Sequence, residues 1–271
     1  MKTSLVSKYL LVPGLLLSAA CDRDALEEPA LPAPGRSIEF RAEILPATRT
    51  ATEGRKSTFV EGDRIGIFQV VRNTDDFLAS NALHTLADGR WNSDAALAFP
   101  VDGRPVDFYA YYPYAPQAEG LSFEHTVAAD QSQAGAYEAS DLLQASCTDT
   151  TGTEQQVAFR FSHTLALAEV RVDGLPADDP AATVTIRVRR SVRVDLRTGT
   201  ATSDPETATE PVTMRRLPDG TFRAVIPAQQ VPAGSLLRLT TQSGKTYRYR
   251  SDAPTEFSAG RIASFTVDCG E

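Results

Sequence analysis

The side chains that most often perform catalysis are few in this chain. Its three histidines, His84, His125 and His163, have no spacing that suits a zinc site or a catalytic helix. There is no G-x-S-x-G nucleophile motif, phosphate-binding glycine loop or dinucleotide fingerprint. Two carboxylates could meet in space as they do in a glycosidase, but an acidic composition explains their abundance equally well. We therefore predict no catalytic residue, cofactor or metal, and keep a surface hydrolase as the weakest alternative.

One cysteine stands where a covalent modification is expected. The chain begins MKTSLVSKYLLVPGLLLSAAC, in which two lysines precede a short apolar run and small residues lead to Cys21. The run is too short for a membrane-spanning helix and is typical of a secretion signal. LSAAC is similar to a bacterial lipobox, although an ordinary signal cut after Ala20 is the alternative. We predict a lipoprotein signal peptide over residues 1–20 and a palmitate-type acyl anchor on Cys21.

The remaining cysteines, Cys147 and Cys269, would be exported with the rest of the chain. An oxidising compartment permits a disulfide bond between them, and closing so long a loop would stabilise the fold by a few kcal/mol. The sequence does not establish that they meet, so the bond is only a candidate.

Basic residues are concentrated in LPATRTATEGRKSTF, residues 45–59, where Arg49, Arg55 and Lys56 stand among small and polar residues. Composition alone predicts a solvated linker. An acidic, proline-rich tether over residues 21–36 precedes the folded part. The 35 acidic and 27 basic residues give a formal net charge of -8, which disfavours nucleic acid and anionic membrane faces as partners.

Two further patterns have a functional and a structural interpretation. The run DFYAYYPYAP, residues 107–116, could be a sugar-stacking platform, but core packing is the favoured interpretation. An arginine row could suggest polyanion binding, but most of its members alternate with valine and isoleucine and are better interpreted as the solvated face of strands. Arg190 breaks that alternation and is predicted to mark a bulge or turn. The row comprises Arg187, Arg189, Arg190, Arg193 and Arg197.

The elements that position these residues have a period of two. SIEFRAEI puts Ile38, Phe40, Ala42 and Ile44 on one face, which predicts a half-buried strand. Many similar short runs, separated by turn signals such as Asp88-Gly89, predict an all-β sandwich architecture. Short helical turns are allowed only at 80–86 and 137–145. CTDTTGTEQQ, residues 147–156, is the predicted boundary between an N-terminal domain (37–155) and a C-terminal domain (156–271).

Several motifs in one order resemble the fimbrillin family, the lipoprotein pilins of type V pili. They are FVEGDRIGIF (59–68), DGRWNSDAALAFPVDGRPVDFYAYYPY (88–114), SDLLQAS (140–146), FRFSHTLALAEVRV (159–172), VDLRTGTAT (194–202), AVIPAQQVPAGSLLRLTTQSGKTYRY (224–249) and FSAGRIASFTV (257–267). The resemblance covers nearly the whole exported chain. It implies two tandem transthyretin-like β-sandwich domains, anchoring at the outer membrane, and assembly into surface fimbriae that mediate cell adhesion.

The resemblance also implies maturation by an arginine-specific protease that removes the lipidated leader with the first strand. In this sequence the exchangeable strand is residues 37–45, with Ile38, Phe40, Ala42 and Ile44 as its inward side chains. The cut follows Arg49, with Arg55 as the runner-up. Another pilin subunit, identical or paralogous, then supplies the missing strand. Either residues 262–267 rearrange to donate a strand in turn, or the subunit occupies a tip or accessory position.

The alternative function is a permanently anchored surface lipoprotein that binds a host glycan or protein. The N-terminal residue of the mature protein separates the two: Thr50 indicates a processed pilin, and lipidated Cys21 indicates a permanent anchor.

Overall fold

The computed structural model describes residues 38–45, 56–152 and 156–270, and most of these residues lie in β-strands. The strands of the first half are β1 (Glu39–Ile44), β2 (Arg64–Val71), β3 (Phe77–Ala87), β4 (Arg90–Asn92), β5 (Val106–Tyr112), β6 (Ser122–Thr126), β7 (Leu143–Thr150) and β8 (Gln156–His163). Those of the second half are β9 (Ala166–Asp173), β10 (Ala181–Val188), β11 (Ser191–Asp195), β12 (Thr200–Thr202), β13 (Glu210–Thr213), β14 (Arg215–Arg216), β15 (Phe222–Ile226), β16 (Gln229–Val231), β17 (Gly234–Thr241), β18 (Thr246–Ser251), β19 (Thr255–Phe257) and β20 (Ile262–Asp268). One short helix, α1 (Ala136–Ser140), lies among the described residues.

These strands form five sheets. Sheet 1 has the order β1-β8-β7-β5-β2-β3-β4, sheet 2 has β12-β11-β6, sheet 3 has β13-β10-β17-β18, and sheet 4 has β14-β15-β9-β20. Strands β16 and β19 form a separate pair. Most neighbours are antiparallel, but β1 runs parallel to β8 and β20 runs parallel to β9. The all-β prediction is therefore confirmed.

Three hydrophobic clusters hold the sheets together, as alternating strands require. Cluster A covers one face of sheet 1 and includes Ile65, Phe108 and Phe159. Cluster B includes Phe68 and Tyr111 from sheet 1, Val192 and Val194 from sheet 2, and Val225 from sheet 4. Cluster C joins sheets 3 and 4. The chain thus builds packed sheets in layers, the arrangement of a β-sandwich protein.

Strand pairing crosses the boundary expected between residues 155 and 156. Strand β8 begins at Gln156, yet it pairs with β1 and β7 in sheet 1. Strand β6 also pairs with β11 from the second half of the chain. The two-domain division stays a prediction, and this pairing favours placing β8 with the residues that precede it.

Two local expectations were wrong. The sequence of residues 80–86 permits a helical turn, but these residues lie in strand β3, where pairing with β2 and β4 outweighs the mixed local composition. The alternating pattern predicts a solvated Arg189, but this residue is buried, and its guanidinium donates to the carbonyl oxygens of Thr207, Gln230 and Pro205. Arg190 lies in the break between β10 and β11, as the pattern predicted.

Candidate functional site

The candidate site is built around β1, which lies at one edge of sheet 1. Among the described strands its neighbour is β8, in a parallel register that runs from Glu39 opposite Gln156 to Ile44 opposite Phe161. Backbone bonds hold both ends: the Ile38 N–H donates to Leu97 O at 3.0 Å, and the Leu45 N–H donates to Phe161 O at 2.7 Å. Among the described strands β1 is therefore paired with β8 alone, and one further backbone bond joins Ile38 to the loop that precedes β5.

The side chains of β1 alternate between the core and solvent. Ile38 and Phe40 are 7% and 5% exposed, whereas Ala42 and Ile44 are half-buried. The intervening charged side chains of the strand face solvent. The four inward residues predicted from the sequence thus share one face, and the first two are the deepest.

Phe40 is the anchor of the strand. Its ring lies parallel to that of Phe159 with the centroids 5.7 Å apart. It meets the rings of Phe108 and His84 edge-on at 5.8 Å and 4.9 Å. Burial lowers the pKa of His84 below its usual value, and the hydrogen bond to Ala82 O opposes that effect. A neutral imidazole therefore suits this apolar pocket.

An open groove of about 1190 Å³ runs beside β1, and we call it the β1 groove. Its walls are β1, residues 57–61 and the hairpin that joins β3 to β4. The two edge strands of sheet 1, β1 and β4, contact each other, so the sheet curls around cluster A. The groove is therefore the incompletely closed seam of that curled sheet.

The far wall of the groove is fixed by the hairpin turn at Asp88-Gly89. Both residues have positive φ, 54° and 70°, as a tight two-residue hairpin turn requires. Their N–H groups donate to the two carboxylate oxygens of Glu61, each at 3.0 Å. The Phe59 ring packs edge-on against Trp91 at 5.1 Å and Phe161 at 5.2 Å. Strand periodicity does not predict this wall, and its signal in the sequence is FVEG followed by a DG turn.

The chain is anchored again at Lys56, where the described residues resume. Its ammonium nitrogen lies 2.7 Å from Asp63 Oδ2 and 4.9 Å from the centre of the Tyr112 ring. The Tyr112 hydroxyl donates to the other Asp63 oxygen at 3.2 Å. Burial raises the pKa of Tyr112 well above its usual value, and the Asp63 carboxylate adds to this. Lys56 is thus held by an ion pair and an aromatic ring together.

The other predicted sites are not part of this arrangement. Cys21, Arg49 and Arg55 lie outside the described residues. Cys147 packs beside cluster A and Cys269 beside cluster C, and no disulfide joins them in the described part of the chain. Within that same part, no group of His, Cys, Asp and Glu side chains could hold a metal ion. The described residues contain no helix long and apolar enough to span a membrane.

The tyrosines considered as a sugar platform are core residues. Tyr109, Tyr111 and Tyr112 are 4%, 0% and 8% exposed. The Tyr111 hydroxyl donates to Asn81 Oδ1 at 2.8 Å, and burial raises the pKa of this phenol to about 12. These rings are therefore not available for stacking on a sugar.

The chain is similar in sequence to proteins of bacterial surface fibres. A family model described as Fimbrillin-like matches residues 48–271. A candidate fimbrium tip subunit, Fim1C of Bacteroides ovatus, is 29% identical over 143 residues, which cover 47% of this chain and 26% of that protein. A candidate fimbrium subunit, Fim1C of Bacteroides uniformis, is 29% identical over 190 residues, covering 64% and 59%. The chain spans less than two thirds of the length of either relative.

Solved structures share the fold at low sequence identity. A candidate cell adhesion protein from Bacteroides ovatus matches with a TM-score of 0.65 at 17% identity, over 86% of this chain and 91% of that one. A second, from Bacteroides uniformis, matches with a TM-score of 0.62 at 22% identity, over 86% and 94%. The layered arrangement of sheets is therefore one that solved proteins also have.

Proposed function

Because the chain belongs to the fimbrillin-like family, we propose that it is a structural or accessory subunit of a surface fimbrium that supports cell adhesion and assembles by strand exchange. It is exported and anchored at the outer membrane through Cys21. An arginine-specific protease then removes the leader together with β1, and a strand of another pilin subunit takes the vacated place. The role is structural, and the proposal includes no enzymatic activity.

The attachment of β1 is the observation that carries the proposal. Among the described strands β1 pairs with β8 alone, and it lies at the open seam of sheet 1. Its departure would leave the backbone groups of β8 unpaired and would uncover the pocket of Phe40. An unpaired strand edge is a template for an added strand, whose alternate side chains fill the pockets. The same geometry that holds β1 would therefore accept its replacement.

The free energies involved favour replacement over an empty groove. Burial of a large apolar side chain stabilises by roughly 1.5–3 kcal/mol, and β1 buries Ile38 and Phe40 almost fully. A whole domain is stable by only about 5–15 kcal/mol. Loss of β1 would remove a substantial share of that stability, which an incoming strand can restore.

The anchoring of Lys56 favours Arg49 over Arg55 as the cleavage residue. A protease must bind several residues on both sides of the bond that it cuts. The residue directly after Arg55 is Lys56, whose side chain is held by Asp63 and Tyr112. Arg49 is farther from this anchor and follows the end of β1. The family match, residues 48–271, contains the whole chain that would remain after this cut.

The test is the N-terminus of the protein recovered from the surface of its native host. We expect Thr50 as the first residue, and the Arg49→Ala variant to retain its leader and to form no fibres. Arg55→Ala is the matched control and should be processed normally. Recovery of lipidated Cys21 on the fully assembled wild-type protein would refute the processing step.

A further inference from the structure

The outward face of sheet 3 carries an unusual set of side chains, which we call the arginine face. Its members are Thr183, Thr185, Arg187, Pro211, Thr213, Ser235, Arg238, Thr240, Thr246, Arg248 and Arg250. The valine and leucine side chains between them point the other way into cluster C. The face thus combines four guanidinium groups with six hydroxyls and no carboxylate, although the chain as a whole carries a formal net charge of -8.

The pairing register arranges these residues in rows across the sheet. Thr213, Thr185, Arg238 and Arg248 are successive cross-strand partners and form one row over all four strands. Arg238 and Arg248 stand directly opposite each other and are both exposed. Like charges in directly opposed positions destabilise a sheet. This row therefore carries an electrostatic cost that a bound anion would remove.

No carboxylate of the described residues forms an ion pair with this face, although the Arg187 guanidinium donates to Thr209 O at 2.9 Å. None of the ion pairs of the described part of the chain includes Arg187, Arg238, Arg248 or Arg250. By contrast, Arg193 on sheet 2 is exposed but lies directly opposite Glu124. A groove of about 500 Å³ crosses the face and is lined by Thr185, Arg238 and Arg248, among others. That volume lies in the range of small-molecule sites.

We propose that the arginine face binds an anionic polysaccharide, one that carries uronate carboxylates or sulfate groups. Guanidinium groups bind such oxyanions through paired, charge-assisted hydrogen bonds. The threonine hydroxyls of the neighbouring rows can both donate to and accept from sugar hydroxyls. An extended polymer can engage several rows at once, which a single anion cannot.

The same observations disfavour other polyanions. The face has no large apolar side chain outward, because Tyr247 and Tyr249 pack on the side of cluster C. Protein interfaces usually contain such aromatic anchors. The same lack of an outward aromatic ring leaves no platform on which the bases of single-stranded nucleic acid could stack. A polysaccharide requires only the local combination of arginine and hydroxyl groups.

The site belongs to sheet 3, whereas β1 and its groove belong to sheet 1, so binding can be tested without assembly. We would immobilise heparin, hyaluronan, polygalacturonate and neutral dextran, and measure binding of the purified full-length protein by biolayer interferometry. We expect binding to at least one anionic polysaccharide and none to dextran, with affinity that falls as sodium chloride is raised.

The decisive variant is Arg238→Gln with Arg248→Gln, and its matched control is Arg171→Gln with Arg193→Gln. Each double variant removes two positive charges. All four arginines are exposed strand residues, so the variants are also matched in their surroundings. The first should weaken binding by about tenfold or more, and the control by less than about twofold. Equal losses in both variants, or no binding to any anionic polysaccharide, would overturn the proposal. So would tighter binding to duplex DNA or polyglutamate of the same charge.

Discussion

At the scale of single residues, Phe40 decides how firmly β1 is held, because its ring touches Phe159, Phe108 and His84. Replacing a buried phenylalanine by alanine usually costs about 3–5 kcal/mol. In the Phe40→Ala variant we expect β1 to detach more readily than β2. Hydrogen exchange should therefore accelerate more at the amides of β1 than at those of β2. The neighbouring Arg41→Ala changes an exposed side chain and should leave exchange unaltered. Equal protection of β1 in both variants would contradict the anchoring role.

The pocket of Phe40 should also respond to acid through His84. Burial lowers the pKa of His84 in the folded state, so the unfolded state binds more protons as the pH falls. The contribution of neutral His84 to the free energy of unfolding is therefore fully present above about pH 6.5, and it is lost as the pH falls below that value. We expect the protection factors of the β1 amides, corrected for intrinsic exchange, to decrease between pH 7 and pH 5. The His84→Gln variant should lose most of this dependence.

Gly66 on β2 is required by close packing. A Cβ atom there would overlap the ring of Tyr111 and the amide of Asn81. Tyr111 is fully buried and hydrogen-bonded, so it cannot move aside cheaply. We expect Gly66→Ala to lower the free energy of unfolding by about 1–3 kcal/mol in urea denaturation. Gly120→Ala is a suitable control, because no atom lies within 4 Å of its Cβ position, and it should stay within about 0.5 kcal/mol of wild type.

At the scale of elements, strand exchange makes a direct prediction for β1. A chain that begins at Thr50 lacks this strand and should bind a synthetic peptide of residues 37–45. The peptide with Phe40→Ala should bind at least about tenfold more weakly, since it loses the deepest contact. The peptide with Arg41→Ala should bind like the original. Fluorescence polarisation of labelled peptides measures all three, and equal binding of the Phe40→Ala peptide would argue against exchange.

An element can be predicted from the sequence when the residues that determine it are close together in the chain. The alternation of Ile38, Phe40, Ala42 and Ile44 identifies β1, because a period of two suffices to define an inward face. The groove beside it could not be predicted, since it depends on Glu61 meeting the turn at Asp88-Gly89 across the sheet. The burial of Arg189 likewise depends on distant carbonyl groups. Periodicity carries no information about such partners.

At the scale of the whole molecule, the two halves of the chain share their interior. The side chain of Gln131 is fully buried and forms two hydrogen bonds with the backbone of Val225. Its Nε2 donates to Val225 O at 2.7 Å, and its Oε1 accepts from the Val225 N–H at 2.9 Å. Cluster B also draws side chains from sheets 1, 2 and 4. Turn signals and strand patterns do not indicate this sharing, and composition alone predicts the boundary at 155/156.

This shared interior predicts one cooperative unfolding transition. The Gln131→Ala variant leaves the backbone groups of Val225 without their partner, which costs about 1–3 kcal/mol for each buried group. We expect its calorimetric transition to move to lower temperature and to remain single. Gln133→Ala, which removes an exposed side chain, should melt like wild type. Two resolved transitions in the wild-type protein would show that the halves unfold independently.

The parallel register of β1 and β8 has a mechanical consequence. The N-terminal end of β1 and the C-terminal end of β8 lie at opposite ends of the pair, which spans six matched residues. A pull on the start of β1, opposed through the chain that follows β8, acts along the strands in opposite directions. The hydrogen bonds are then loaded together in shear and cannot be unzipped one after another. Strand β1 is thereby suited to bear tension for as long as it stays in place.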